Sequence, residues 1–259
     1  MVSATTQTTT TDARSGYNTT PSQPPWLAAA VKHISGGGQL HLCVEGTIGS
    51  GKSTLVNNMA ELLPANNKVA TLQEPVPTWE KHGLLEAIYN GKLAPINFQQ
   101  TALITRFVAV LASLRAETAI VISERSHHSD KSVFAHTNMI DGSMDRVAYD
   151  VSWDHLNGLT KQVELMTVMI YLRVTPEVAE ARMRNRGRGS EQAIPREYLD
   201  KIFEAHETMF AEPDTDDTHK WVIDASPDEA KIVEEAMAIV DPLVAAIKLR
   251  GYGIGFKSP

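Results

Sequence analysis

Eight consecutive residues, Gly46-Thr47-Ile48-Gly49-Ser50-Gly51-Lys52-Ser53, fit the pattern G-x-x-x-x-G-K-[ST]. Each residue type answers a demand of triphosphate binding. Gly46, Gly49 and Gly51 let backbone N–H groups close around phosphate oxygens. With Ser50 and Thr54 they form a cradle at the start of a predicted helix, whose N-terminus adds positive potential. Lys52 would reach the β- and γ-phosphates, and Ser53 would offer its hydroxyl to Mg²⁺. The pattern specifies a nucleoside triphosphate site, but switches, motors, ATPases and small-molecule kinases share it. The phosphate acceptor has to be read from other residues.

Two acids follow strand-like runs, Glu74 in Gln73-Glu74-Pro75-Val76 and Glu124 in Ser123-Glu124-Arg125-Ser126. A hydroxyl attacking a γ-phosphate must be held in line and relieved of its proton, which a carboxylate within hydrogen-bond reach can do. A second acid on a neighbouring strand can hold the metal. Taken alone, an acid before Pro or Arg at a strand end is usually a solvated turn, and the glycine-rich loop is what favours chemistry here. Further on, Arg182, Arg184, Arg186 and Arg188 crowd one stretch of an otherwise acidic chain. Such a cluster is often a solvated helix face. Gly187 and Gly189 interrupt it, so a flexible cationic lid over triphosphate is the better reading. His127 and His128 lack an acidic partner at ligand spacing and read as surface residues rather than a metal pair.

For these groups to converge, parallel strands must present their carboxyl ends along one edge. From Gln39 onward, strand-length apolar runs alternate with segments of helical period. Strands are expected at 40–45, 68–73, 119–123, 166–172 and 221–224, with helices starting near Gly51, Trp79, Phe98, Ser143, Thr175, Pro195 and Pro227. Thr175-Pro176-Glu177 and Ser226-Pro227-Asp228-Glu229 each place a cap residue, a proline and an acid in helix-starting order. The expectation is one doubly wound α/β domain over 39–259, with a five-stranded parallel sheet and an Arg-rich helical lid. Residues 1–38, rich in Thr, Ser, Pro, Gln and Gly, are expected to be a disordered arm.

Composition narrows the partners. A formal net charge of −7 over 259 residues argues against nucleic acid. No apolar run approaches the roughly 20 residues that would cross a membrane. The single cysteine, Cys43, lies in an apolar run and reads as a buried strand residue, in keeping with a reducing compartment. Arg14 and Lys32 supply little positive charge to the arm, which favours a cytoplasmic over a mitochondrial location.

GTIGSGKS, QEPV with Trp79 five residues after Glu74, LLEAIY, FQ, SERS and RGRGSEQAIPREYL follow one another in order between Leu40 and Phe210. In this the chain resembles the deoxyribonucleoside kinases, in the branch of deoxycytidine, deoxyguanosine and mitochondrial thymidine kinases. The resemblance implies a P-loop nucleoside-kinase fold, ATP with Mg²⁺, a deoxynucleoside acceptor and a homodimer. It implies that Glu74 is the base at the 5′-hydroxyl, that Arg125 holds that hydroxyl, and that Glu124 supports Mg²⁺ with Ser53. Tyr89 and Glu191 would bind the 3′-hydroxyl, Trp79 would wall the pocket, Phe98 and Phe134 would flank the base, and Gln99 would pair with its edge. Arg186 and Arg188 would clamp phosphates, and Arg182 would lie against adenine. Without the resemblance the aromatics read more readily as core and Gln99 as a surface amide, and for Glu191 pairing with the lid arginines is an alternative to sugar binding.

Arg106, seven residues beyond Gln99, and Asp130, five beyond Arg125, stand where members favouring thymidine carry apolar or small residues. Together they would fill the room a thymine methyl needs and favour deoxycytidine or a deoxypurine. An ordinary salt bridge is the alternative. Two other functions share the loop: a thymidylate-type monophosphate kinase, which normally has an aspartate-led motif where Glu124-Arg125-Ser126 stands, and a non-catalytic nucleotide-binding subunit. Helices over 98–115 and 143–164 carry more apolar surface than one sheet face needs, which suits a dimer.

Overall fold

In the computed structural model, residues 23–63, 68–115, 118–160, 165–226 and 228–250 are described. The elements run α1 (Leu27–Ser35), β1 (Leu40–Glu45), α2 (Lys52–Leu62), β2 (Val69–Leu72), α3 (Val76–Lys81), α4 (Leu84–Tyr89) and α5 (Pro95–Arg115). There follow β3 (Ile120–Glu124), α6 (His127–Ser129), a π-helical turn (Asp130–Ala135), α7 (His136–Ile140) and α8 (Arg146–Thr160). The chain continues through β4 (Met166–Arg173), α9 (Pro176–Arg186), a 3-10 turn (Gly189–Glu191), α10 (Arg196–Ala211), β5 (Thr218–Asp224) and α11 (Glu229–Arg250).

All six residues of β1 are buried, as a central strand covered on both faces requires. The sheet has five strands in the order β2-β3-β1-β4-β5, and every pairing is parallel. One face packs Leu40, Leu42, Val44, Ile120 and Ile170 against α1, α2 and α11. The other packs Cys43, Met169 and Tyr171 against the π-helical turn and α10. Val44 stands opposite Glu124, and the Arg125 N–H donates to the Val44 carbonyl at 2.9 Å, so the end of β3 lies level with the start of the glycine-rich loop.

The arm expected over 1–38 is corrected in its second half. Residues 27–35 form α1, which buries Leu27, Ala30 and Ile34 and packs along α11. Trp26 caps this contact, stacking on His219 with ring centroids 5.6 Å apart and donating its indole N–H to the Lys220 carbonyl at 3.3 Å. The helical stripe is too short to stand out from its polar surroundings, and only α11 gives it something to cover. Residues 1–22 lie outside the described part of the chain.

Other differences are of boundary. β5 starts at Thr218 because pairing with β4 recruits residues whose polarity reads as loop. α8 starts at Arg146, where the Asp145 carboxylate accepts the N–H groups of Val147 and Ala148 at 2.8 and 3.1 Å. α11 starts at Glu229, capped by Asp228, whose carboxylate accepts the Lys231 N–H at 3.0 Å; Ser226 is not the cap, and Pro227 is outside the described residues. So are 161–164, at the end of the helix expected over 143–164, and 251–259. The Thr175 cap of α9 is as expected, accepting the Val178 N–H at 3.5 Å. Among the described residues no helix is long and apolar enough to cross a membrane.

Candidate active site

The loop after β1 takes the conformation its glycines permit. Gly49 has φ +88°, and a Cβ there would stand 2.2 Å from the Ala179 carbonyl oxygen. No residue but glycine fits between the loop and α9. Lys52 is buried at the start of α2 and donates to the carbonyls of Thr47 and Gly46 at 2.7 and 3.1 Å. Burial, and then the Arg125 guanidinium, lower its pKa to about 7 against the pull of Glu124, Glu74 and Glu45.

Ser53 shares its hydroxyl between both oxygens of Glu124, each 3.0 Å away. Burial raises the Glu124 carboxyl above its ordinary range, and the neighbouring Glu74 adds to the rise. A hydroxyl and a hindered carboxylate beside a phosphate loop fit Mg²⁺, which takes one or two protein oxygens and fills its other positions with phosphate and water.

Beyond the loop opens a cleft of about 450 Å³, lined by Gly49, Gly51, Lys52, Ser53, Thr54, Glu74 and Glu124 at one end. Trp79, Tyr89, Phe98, Gln99, Arg106, Arg125, Asp130, Phe134, Arg186, Arg188 and Glu191 line the rest. Residues from α3, α4, α5, the π-helical turn and the lid thus meet at the carboxyl edge of the sheet. At the centre is a four-residue charge network. Arg106 bonds both Asp130 and Glu74, and the Arg125 Nε lies 3.2 Å from Glu74. Burial opposes ionisation of Glu74, but Arg106, Arg125 and Lys52 outweigh it and hold the carboxyl down to about 2. Burial raises Asp130, and Arg106 resists the rise. Asp130 Oδ2 and Arg106 Nε remain without partners.

The aromatics belong to the wall of the cleft as well as to packing. Trp79 and Phe98 meet edge to face with centroids 5.6 Å apart, and the Arg106 guanidinium lies 5.4 Å from the Trp79 ring centroid. Phe134 lies beneath Arg125, whose guanidinium carbon is 4.5 Å from its centroid. Gln99 is buried at 5% exposure, so the surface-amide alternative is wrong. It faces inward because α5 has one side toward the cleft. Burial raises the Tyr89 phenol well above its usual range.

At the lid, Glu191 pairs with Arg186 at 2.5 Å and Arg188 at 2.8 Å, the alternative to sugar binding that the sequence left open. Arg182 stands apart. It donates to the Ala225 carbonyl at 2.9 Å and lines a smaller cleft with Ser50, Thr54, Leu55 and Ile232, beside the loop. His127 and His128 correct the surface reading. They are half-buried at the N-terminus of α6, their rings 4.1 Å apart, with Phe107 edge-on to His127, and burial lowers both.

Two contributors were missed. Glu45 is fully buried and Ser126 donates to it at 2.6 Å. The available signal was an acid ending an otherwise apolar strand directly before the loop.

A family model described as deoxynucleoside kinase matches residues 42–247, four-fifths of the chain and all of the site. The chain belongs to the deoxynucleoside kinase family. Members are ATP-dependent kinases, and this one is an ATP-dependent phosphotransferase of the P-loop nucleoside-kinase fold. It is 32% identical over 216 residues to deoxycytidine kinase 1 of Xenopus laevis, covering 73% of this chain and 77% of the relative. It is 29% identical over 174 residues to mitochondrial thymidine kinase 2 of Homo sapiens, covering 64% and 62%. A solved structure of deoxyadenosine kinase from M. mycoides, with dCMP and dCDP bound, superposes with a TM-score of 0.66 at 25% identity. That match covers 78% of this kinase and 99% of the other.

Proposed function

We propose that this kinase transfers the γ-phosphate of ATP to the 5′-hydroxyl of deoxycytidine or a deoxypurine in preference to thymidine, as a step of nucleotide salvage. Relatives are named for different bases, so the preference has to be argued from the cleft. The observation that carries it is Arg106 bonded to Asp130 at the cleft wall, with Asp130 Oδ2 and Arg106 Nε left unpartnered. As part of the cleft lining, the pair would offer an acceptor and a donor to an amino-bearing base edge and would take up the space a thymine methyl needs. Gln99 adds a second pair of hydrogen bonds to that edge.

In this reading the 5′-hydroxyl lies between Glu74 and Arg125. Glu74, ionised throughout the working range, takes the hydroxyl proton as the oxygen meets phosphorus. A carboxyl held so low is a weak base, so the proton moves late in a loose transition state. Arg125 orients the attacking oxygen, and Lys52 takes up phosphate charge. Ser53 and Glu124 would hold Mg²⁺, which would neutralise charge on the phosphate oxygens. Arg186 and Arg188 exchange Glu191 for phosphates as the lid closes, which frees Glu191 to meet the 3′-hydroxyl beside Tyr89. Arg182 and the apolar residues of its cleft cover the adenine.

We also read the kinase as a homodimer, on the exposed pairs Ile104 and Val108 of α5 and Val147 and Val151 of α8, each one helical turn apart. A monomeric mass in light scattering at micromolar concentration would contradict it. A cytoplasmic location rests on composition alone.

The test is kcat/KM for all four deoxynucleosides and for thymidylate with ATP and Mg²⁺. Deoxycytidine or a deoxypurine should lead. Thymidine in first place refutes the base reading, turnover of thymidylate alone refutes the acceptor class, and no turnover favours a non-catalytic role.

A further inference from the structure

Arg125 is the one non-glycine among the described residues with positive φ, at +64°. A side chain with a Cβ is held in that region only when its surroundings demand it, and such residues gather at functional sites. The surroundings here are specific. The Arg125 N–H donates to the Val44 carbonyl at 2.9 Å, and its carbonyl accepts the Ser123 hydroxyl at 2.7 Å. Its guanidinium reaches Glu74 and donates to the Gly46 carbonyl at 2.8 Å. These contacts fix the residue itself. The peptide that leaves it must be turned as well.

Ser126 does that turning, and Glu45 holds Ser126. The Ser126 hydroxyl donates to Glu45 Oε1 at 2.6 Å and accepts the His128 N–H at 3.2 Å, while the Ser129 hydroxyl donates to the Ser126 carbonyl at 3.1 Å. Glu45 is the last residue of β1 and fully buried. An acid in a covered strand is unfavourable unless the site uses it. Burial raises its carboxyl to about 7, against the hydrogen bond from Ser126 and the charge of Arg125.

We propose that Glu45 is a positioning residue for Arg125, acting through the Ser126 hydroxyl to hold the turn that aims the guanidinium at Glu74 and the phosphate loop. Nothing in the transfer chemistry requires Glu45 to touch either substrate. This rests on the role given to Arg125 above.

The test is a double-mutant cycle on kcat, with deoxycytidine, ATP and Mg²⁺ and isotopic detection of product. Glu45→Val removes the acceptor at similar bulk, and Ser126→Ala removes the donor. Each should lower kcat roughly tenfold, the effect of one lost orienting hydrogen bond. In an Arg125→Ala background neither should lower it further. A general loss of folded enzyme would scale the rate equally in both backgrounds, so that result overturns the proposal. Glu45→Gln, whose amide oxygen can accept the Ser126 hydroxyl, should recover most of the loss, and failure to do so also overturns it. If Glu45→Val does not fold, Ser126→Ala carries the cycle, and kcat within twofold of wild type refutes the coupling. Arg125→Ala at wild-type kcat overturns both the Arg125 role and this one; impaired Arg125→Ala with unimpaired Ser126→Ala overturns this one only.

Discussion

Replacing Glu74 by Gln separates its charge from its shape. The amide keeps the volume and one acceptor oxygen toward Arg106 and Arg125, so both substrates should still bind. What is lost is the proton acceptor. Removing a positioned base lowers a rate by on the order of 10²–10⁴, equivalent to about 3–5 kcal/mol of barrier. Because both guanidiniums keep a partner oxygen, kcat should fall toward the lower end of that range. The substitution also has a stability effect whose sign follows from titration. Burial notwithstanding, the cations around Glu74 hold it down to about 2, against the usual 4.5. Its stabilisation is therefore full above 4.5 and is lost as pH falls through about 2. At about 1.4 kcal/mol per pH unit, the upper bound is about 3 kcal/mol at pH 7. Urea denaturation of the two proteins should differ by about 1–3 kcal/mol at pH 7, and the gap should narrow by about 1 kcal/mol between pH 5 and 3.5. Steady-state turnover with ATP and deoxycytidine, beside calorimetric binding of each, gives the catalytic half. Turnover within tenfold of wild type refutes the base assignment, and a gap that does not narrow refutes the electrostatic account.

Lys52, lowered to about 7 by burial, should regain its proton when phosphate replaces that environment. Calorimetry in buffers of different ionisation enthalpy should find uptake approaching one proton per ATP at pH 8 and little at pH 6; no uptake at pH 8 would show that Lys52 does not meet the phosphates. Gly49→Ala brings a Cβ to 2.2 Å from the Ala179 carbonyl oxygen at φ +88°, so ATP affinity should fall at least about hundredfold in titration calorimetry, an effect on the order of 3 kcal/mol. Wild-type affinity would mean that the loop and α9 are not so close. Ile34→Ala should cost about 2–5 kcal/mol in urea denaturation, because the side chain is wholly buried between α1 and the core, whereas kcat/KM of the folded protein should hold. An unchanged midpoint would remove α1 from the folded domain.

Local order along the chain was legible wherever one residue type serves one purpose. The glycine-rich loop, the apolar central strands and the Thr175 cap depend on neighbours within a few residues, so spacing alone specifies them. For the same reason the sequence alone marks Glu74 and Glu124 as acids that follow strands. What spacing could not show was which charges share a partner. Arg106 and Asp130 read as a pair, yet Arg106 also holds Glu74, which joins the residues that select the base to the residue that takes the proton. Glu191 could serve the sugar or the lid, and only the fold of the 3-10 turn against α9 brings both arginines to it. α1 has too short a stripe to declare itself without α11, and Glu45 looks like a strand end until Ser126 is seen across the β1–β3 pairing. Except for the Glu191 pairs, which span five and three residues, these features depend on contacts between segments tens of residues apart, where burial sets the strength of each charge. Tertiary structure alone decides them.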